Sequence, residues 1–209
     1  MRKLFVFGGI AASVLLIAFG IGAIVMGATG GHEVRKDIQR EQIVGTPDMT
    51  PAIIRAEAAK AGLKNVEFPT CTVANKAIDS GSRAKCFASY MRIHALEATG
   101  GLTYSQMPHY ATKDGKGTND VKAALVQNGQ PVNNPARDVW VQETALTTAL
   151  NTSFFATQVS MFSIVMGIAL LLSGIGFLVL VLGVLSQGTV DVLRILHHEQ
   201  EREREKVLA

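Results

Sequence analysis

The chain has 209 residues and a formal net charge of +3, from 20 basic and 17 acidic side chains. That balance is too slight to hold a polyanion, and no basic run is interleaved with aromatics, which excludes nucleic acid as a partner. Hydrophobic residues make up 48%, a share that would suit a soluble domain if it were evenly spread, but much of it falls in two runs.

Residues 1–3 carry Arg2 and Lys3 and precede the first run, 4–28, LFVFGGIAASVLLIAFGIGAIVMGA. Without a charge over about 25 residues at about 1.5 Å each, it is long enough to cross a hydrocarbon core of about 30 Å. The rival reading is a cleaved signal peptide, with Ala28-Thr29-Gly30 as the cleavage site. Against it, the apolar part of a signal is only about 7–15 residues long.

Gly30-Gly31 predicts the end of this helix, followed by a polar stalk, HEVRKDIQREQ, and a turn-rich IVGTPDMTP. Thr50 and Pro51 read as an N-cap and first helical residue, opening a helix over AIIRAEAAKA that Gly62 stops. NVEFPTCTV has strand character, and Pro69 confines it to an edge or an extended segment. A helix over 82–99, SRAKCFASYMRIHALEAT, is stopped by Gly100-Gly101, with Phe87, Met91 and His94 on one face. Residues 102–135 read as loop, with turn clusters DGKGTND and QNGQPVNNP.

From Ala136 there is no proline, and no glycine before Gly167. The spacing predicts one long helix over 136–160 running into the second apolar run, 161–185, MFSIVMGIALLLSGIGFLVLVLGVL. Residues 186–209 form a charged helical tail in which Glu199/Arg202, Glu201/Arg204 and Glu203/Lys206 pair at i,i+3.

Two spans put both termini on one side, and Arg2 and Lys3 point to the cytoplasm. The expected location is the plasma membrane, multi-pass, with 29–152 as an extracytoplasmic domain. Cys71 and Cys86, the only cysteines, then lie where disulfides persist, and a staple is the simplest reading. The loop they close has about 15 residues, and chain entropy gives the bridge about 3 kcal/mol. A redox CxxC pair is excluded by the spacing, and zinc would need ligands from elsewhere. Leu, Ile, Val and Phe make up only about 18% of the outer segment, near the range where disorder sets in, which raises the importance of the staple.

Ala18/Gly22, Ser163/Gly167 and Ala169/Ser173 are small pairs four apart that permit close helix approach, between the two spans or with another protein. Neither span carries an ionisable residue, which argues against an ion pathway or proton relay. His94, Glu97 and His109 supply two imidazoles and a carboxylate, the donor set of non-haem iron oxygenases, with His94 and Glu97 three apart on a helix. Set beside it is the plainer reading that His94 packs or caps within a small core.

The stretches SGSRAKCFASYMRIHALEATGGLTY and RDVWVQETALTTALNTSFFA, the latter running into the second span, resemble a group of actinobacterial two-span membrane proteins. Some of that group are labelled aromatic ring-opening dioxygenases. The resemblance covers nearly the whole chain, and its motif is matched by Tyr90, His94, Gly100, Gly101 and Tyr104. It implies no established catalytic residues.

The expected fold is an all-α membrane protein, two transmembrane helices flanking a small, mostly helical, disulfide-stapled outer domain. The expected role is non-enzymatic: an accessory, assembly or scaffolding component that contacts the bilayer and another membrane or envelope protein, or a second copy of itself, with no cofactor. The alternatives are an iron-dependent oxygenase and an envelope sensor signalling through the tail.

Overall fold

The computed structural model describes residues 2–185. The charged tail, with its i,i+3 pairs and His197-His198, lies outside the described residues. Within them the chain is mostly helical: α1 Arg2–Arg40, α2 Pro51–Lys60, α3 Gly81–Ala98 and α4 Pro135–Leu180, with a minimal hairpin of β1 Val126–Gln127 and β2 Gln130–Pro131. Helices α1 and α4 each contain a stretch long and apolar enough to cross a membrane, with mean hydropathies of 2.4 and 2.8. The residues divide into two compact units, one of residues up to Thr29 with those from Val159 onward, the other Gly30–Gln158.

In the first unit the apolar parts of α1 and α4 pack antiparallel through a seam of small residues. A Cβ placed on Gly20 would stand 2.7 Å from the Leu171 amide nitrogen, and one on Gly167 would stand 2.7 Å from the Gly20 carbonyl oxygen. In the same way Gly27 faces the Ser160 carbonyl at 2.7 Å, and Gly174 faces Ile17 at 2.7 Å and the Ser13 carbonyl at 3.0 Å. Ser13, Gly20 and Gly27 recur every seven residues, as do Gly167, Gly174 and Val181. A seven-residue period keeps one face inward only if the helices wind slightly left-handed. Large side chains such as Phe7, Phe19, Phe162 and Leu172 are turned outward.

The expected small pairs fall differently from this seam. Gly167 lies in it and Ser163 is half-buried beside it, whereas Ala18, Ala169 and Ser173 are exposed. Gly22 has open space where a side chain would go. The four-residue rule finds small residues on one face of a helix, but two long helices in contact repeat every seven.

The second unit corrects two local expectations. Helix α1 does not end at Gly30-Gly31 but continues to Arg40. Each glycine costs a helix up to about 1 kcal/mol, and the turns beyond offset this by packing Val34 and burying Ile38 in the core. NVEFPTCTV forms no strand. Its backbone is held instead by single contacts, the Val73 amide donating to the Met49 carbonyl at 3.2 Å and the Thr72 hydroxyl donating to the same oxygen at 3.1 Å.

The core of this unit gathers Ile38, Met49, Ile54, Ala58, Val73 and Ile78 around α3, whose Phe87, Tyr90 and Ile93 face inward. α2 begins as its sequence implies: Thr50 accepts from the Ile53 amide, Pro51 follows, and Gly62 has φ +71°. Cys71 and Cys86 are joined, and one turn further along α3 the Tyr90 hydroxyl donates to the Cys71 carbonyl at 2.7 Å. The chain entering α3 is therefore fixed to it twice, once covalently and once by a buried phenol.

Residues 102–134 are more regular than a loop. Tyr110 pairs with Thr118 and with Asn133, and β1 and β2 are joined by Asn128-Gly129, both at positive φ, as the tightest hairpins require. Arg137 closes this region by donating to the Tyr104 and Met107 carbonyls.

Candidate functional site

Four titratable side chains meet where three separate segments of the second unit converge. Asp48 stands on the turn before α2, closed by the Met49 amide donating to the Thr46 carbonyl, and is held in place because Met49 beside it is almost fully buried. Glu57 follows on α2, between buried Ile54 and Ala58. His94 lies on α3, one turn beyond Tyr90 and next to Ile93, both fully inside. Glu97 lies three residues further along that helix, on the same side as His94.

One donor atom from each of Asp48, Glu57 and His94 falls within 4.8 Å of the other two, and all three residues are half-buried. His94 Nε2 is buried and paired with Asp48 Oδ2 at 2.8 Å. Glu97 Oε1 is buried and unpartnered.

The electrostatics separate the carboxylates. Burial pushes the Asp48 carboxyl up, but hydrogen bonds from Thr46 and from its own backbone, with the charge and hydrogen bond of His94, outweigh this and hold it below the ordinary value. Burial pushes Glu97 above its ordinary value, and the neighbouring charges of Glu57 and Asp48 add to this against the opposing pull of His94. A raised folded pKa contributes stability that is fully present below the unfolded value and is lost as pH rises through the folded one. Glu97→Gln in the metal-free protein is therefore expected to be near neutral at about pH 4 and to stabilise the second unit at about pH 7.5. Chemical denaturation followed by the fluorescence of Trp140, the only tryptophan, measures this. A variant that loses more stability at the higher pH than at the lower contradicts it.

Of the three donors expected from the sequence, His94 is in the cluster and Glu97 borders it. His109 is exposed, its ring edge-on to Tyr110 at 6.3 Å and its backbone held by Asn119 and Asn134. It is not among the converging donors. The motif residues of the resemblance have structural places: Tyr90 in the core, Gly100 and Gly101 at positive φ ending α3, and Tyr104 under the Arg137 guanidinium at 3.8 Å.

Asp48 and Glu57 were not legible as site residues. They lie 46 and 37 positions before His94 in number, and no local spacing links them. The one available hint was an aspartate in the turn just before a capped helix.

One imidazole and two or three carboxylates form a donor set suited to divalent metals of intermediate hardness. Comparison of the chain with known protein families, with curated proteins and with solved structures returns no match.

Proposed function

We propose that this chain is a two-pass plasma-membrane protein that works by contact, as an accessory, assembly or scaffolding component for another membrane or envelope protein. The observation that carries the reading is the glycine seam of α1 and α4, which leaves the large apolar side chains of both helices facing outward. Such a pair is an anchor with a broad apolar exterior, and neither apolar run has an ionisable group that could move an ion. The Cys71–Cys86 disulfide supports placing the second unit on the extracytoplasmic side, and Arg2 and Lys3 support cytoplasmic termini. The oxygenase reading, which needs His94, Glu97 and His109 around one iron, gains no support from an exposed His109.

Native mass of the protein extracted in mild detergent, compared with its denatured mass, tests the proposal. The expected result is a stoichiometric companion chain, or a second copy, on a protein about two mass units light from its disulfide. A lone chain at every detergent concentration overturns it.

A further inference from the structure

We propose that Asp48, Glu57 and His94 form a binding site for one divalent transition-metal cation of the zinc class, with Glu97 at its edge. The inference is independent of the contact reading.

The donor set contains an imidazole nitrogen and carboxylate oxygens, supplied by a turn and two different helices. Ligands bonded to one cation at about 2.0–2.2 Å stand about 3 Å apart at right angles and about 3.4 Å apart in a tetrahedron. The His94–Asp48 ion pair at 2.8 Å already holds two of the donors near the right-angle spacing.

A second observation is independent of these distances. Buried polar atoms nearly always have a partner. Glu97 Oε1 is buried without one, about one turn along α3 from His94. A cation satisfies the imidazole nitrogen directly. It also draws the Glu97 carboxylate toward a centre that would otherwise hold an excess of negative charge. Carboxylates alone would suit magnesium or calcium, and the imidazole moves the preference toward zinc.

The site joins the turn at Asp48, α2 and α3 through one ion, complementing the disulfide that fixes residue 71 to α3. It acts as a structural cross-link, because binding the folded arrangement and not the unfolded chain raises stability by mass action.

The test uses the full chain in mild detergent, stripped by chelator and titrated with Zn²⁺ alone or Mg²⁺ alone. One Zn²⁺ per chain is expected by native mass, with a rise of several degrees in the Trp140 unfolding midpoint at saturating zinc. Mg²⁺ is expected to give no rise. His94→Ala and, separately, Glu57→Gln are expected to abolish the rise, and Glu97→Gln to weaken zinc about tenfold. Glu57→Gln keeps the size of a half-buried side chain, so it decides the matter where His94→Ala does not fold. The paired substitution His197→Ala with His198→Ala is expected to leave the rise intact. The proposal is overturned by the absence of a zinc-dependent rise in the unaltered chain, by a rise that survives Glu57→Gln, or by one that disappears with the tail histidines. Any of these leaves the cluster a simple ion pair.

Discussion

Tyr90→Ala is expected to unfold much of the second unit, at a cost of about 3–5 kcal/mol, the range for deleting a large buried aromatic side chain. The ring is fully inaccessible at the centre of the core, and its hydroxyl is the partner of the Cys71 carbonyl. Tyr90→Phe keeps the ring and removes only the hydrogen bond, so its cost is expected to be about 1 kcal/mol. Chemical denaturation read by Trp140 fluorescence separates the two, because Trp140 packs beside Ala95 and Met107 in the same unit. The disulfide should change the smaller effect. With Cys71 and Cys86 both replaced by serine, the Tyr90 hydroxyl becomes the remaining tie from α3 to residue 71, and Tyr90→Phe should then cost more than it does with the bridge intact. Neighbours that hold one segment are coupled, and a double-mutant cycle measures the coupling. Equal costs of Tyr90→Phe in the two backgrounds would show that the hydroxyl and the bridge act independently.

The elements legible in the sequence were those set by local chemistry. Thr50-Pro51 announced α2, Gly100-Gly101 ended α3, and two uncharged runs of span length gave the two long helices. The disulfide needed only two cysteines and a compartment. What escaped depended on partners distant in sequence. Gly30-Gly31 looked like a stop, because the cost of two helical glycines is visible in the chain, whereas the burial of Ile38 in the core it shares with Ile54 and Tyr90 is not. The low aliphatic content between the two apolar runs suggested a poor core, but alanines at 58, 84 and 88 let helices and turns close around a single tyrosine. Asp48 and Glu57 joined His94 only after α2 had packed on α3. The same physics explains the misplaced strand, since an extended segment becomes a strand only beside another, and residues 65–73 have no strand alongside.

The same limit governs the pair of long apolar helices, where substitutions two positions apart are expected to differ sharply. Gly20→Leu places a large side chain where even a Cβ meets backbone atoms of α4, the Leu171 nitrogen at 2.7 Å and the Gly167 oxygen at 2.8 Å. Backbone atoms cannot rotate away as a flexible side chain can, so the helices must separate along the seam. Gly22→Leu enters open space on a face already lined by exposed apolar residues. Between helices in lipid there is little hydrophobic drive, and close van der Waals contact supplies much of the attraction. Losing that contact at the middle of a seam of seven-residue period should loosen the turns on either side together, those at Ser13 and Gly174 as well as that at Gly27. The expected cost of Gly20→Leu, or of Gly167→Leu from the other side, is about 3 kcal/mol or more, at the upper end for overpacking. Heating in detergent followed by size-exclusion chromatography reads the outcome: aggregation several degrees earlier for Gly20→Leu and Gly167→Leu, and unchanged for Gly22→Leu. Identical melting of Gly20→Leu and Gly22→Leu would mean that the seam does not hold the helices together, and the anchor built on it would lose its basis.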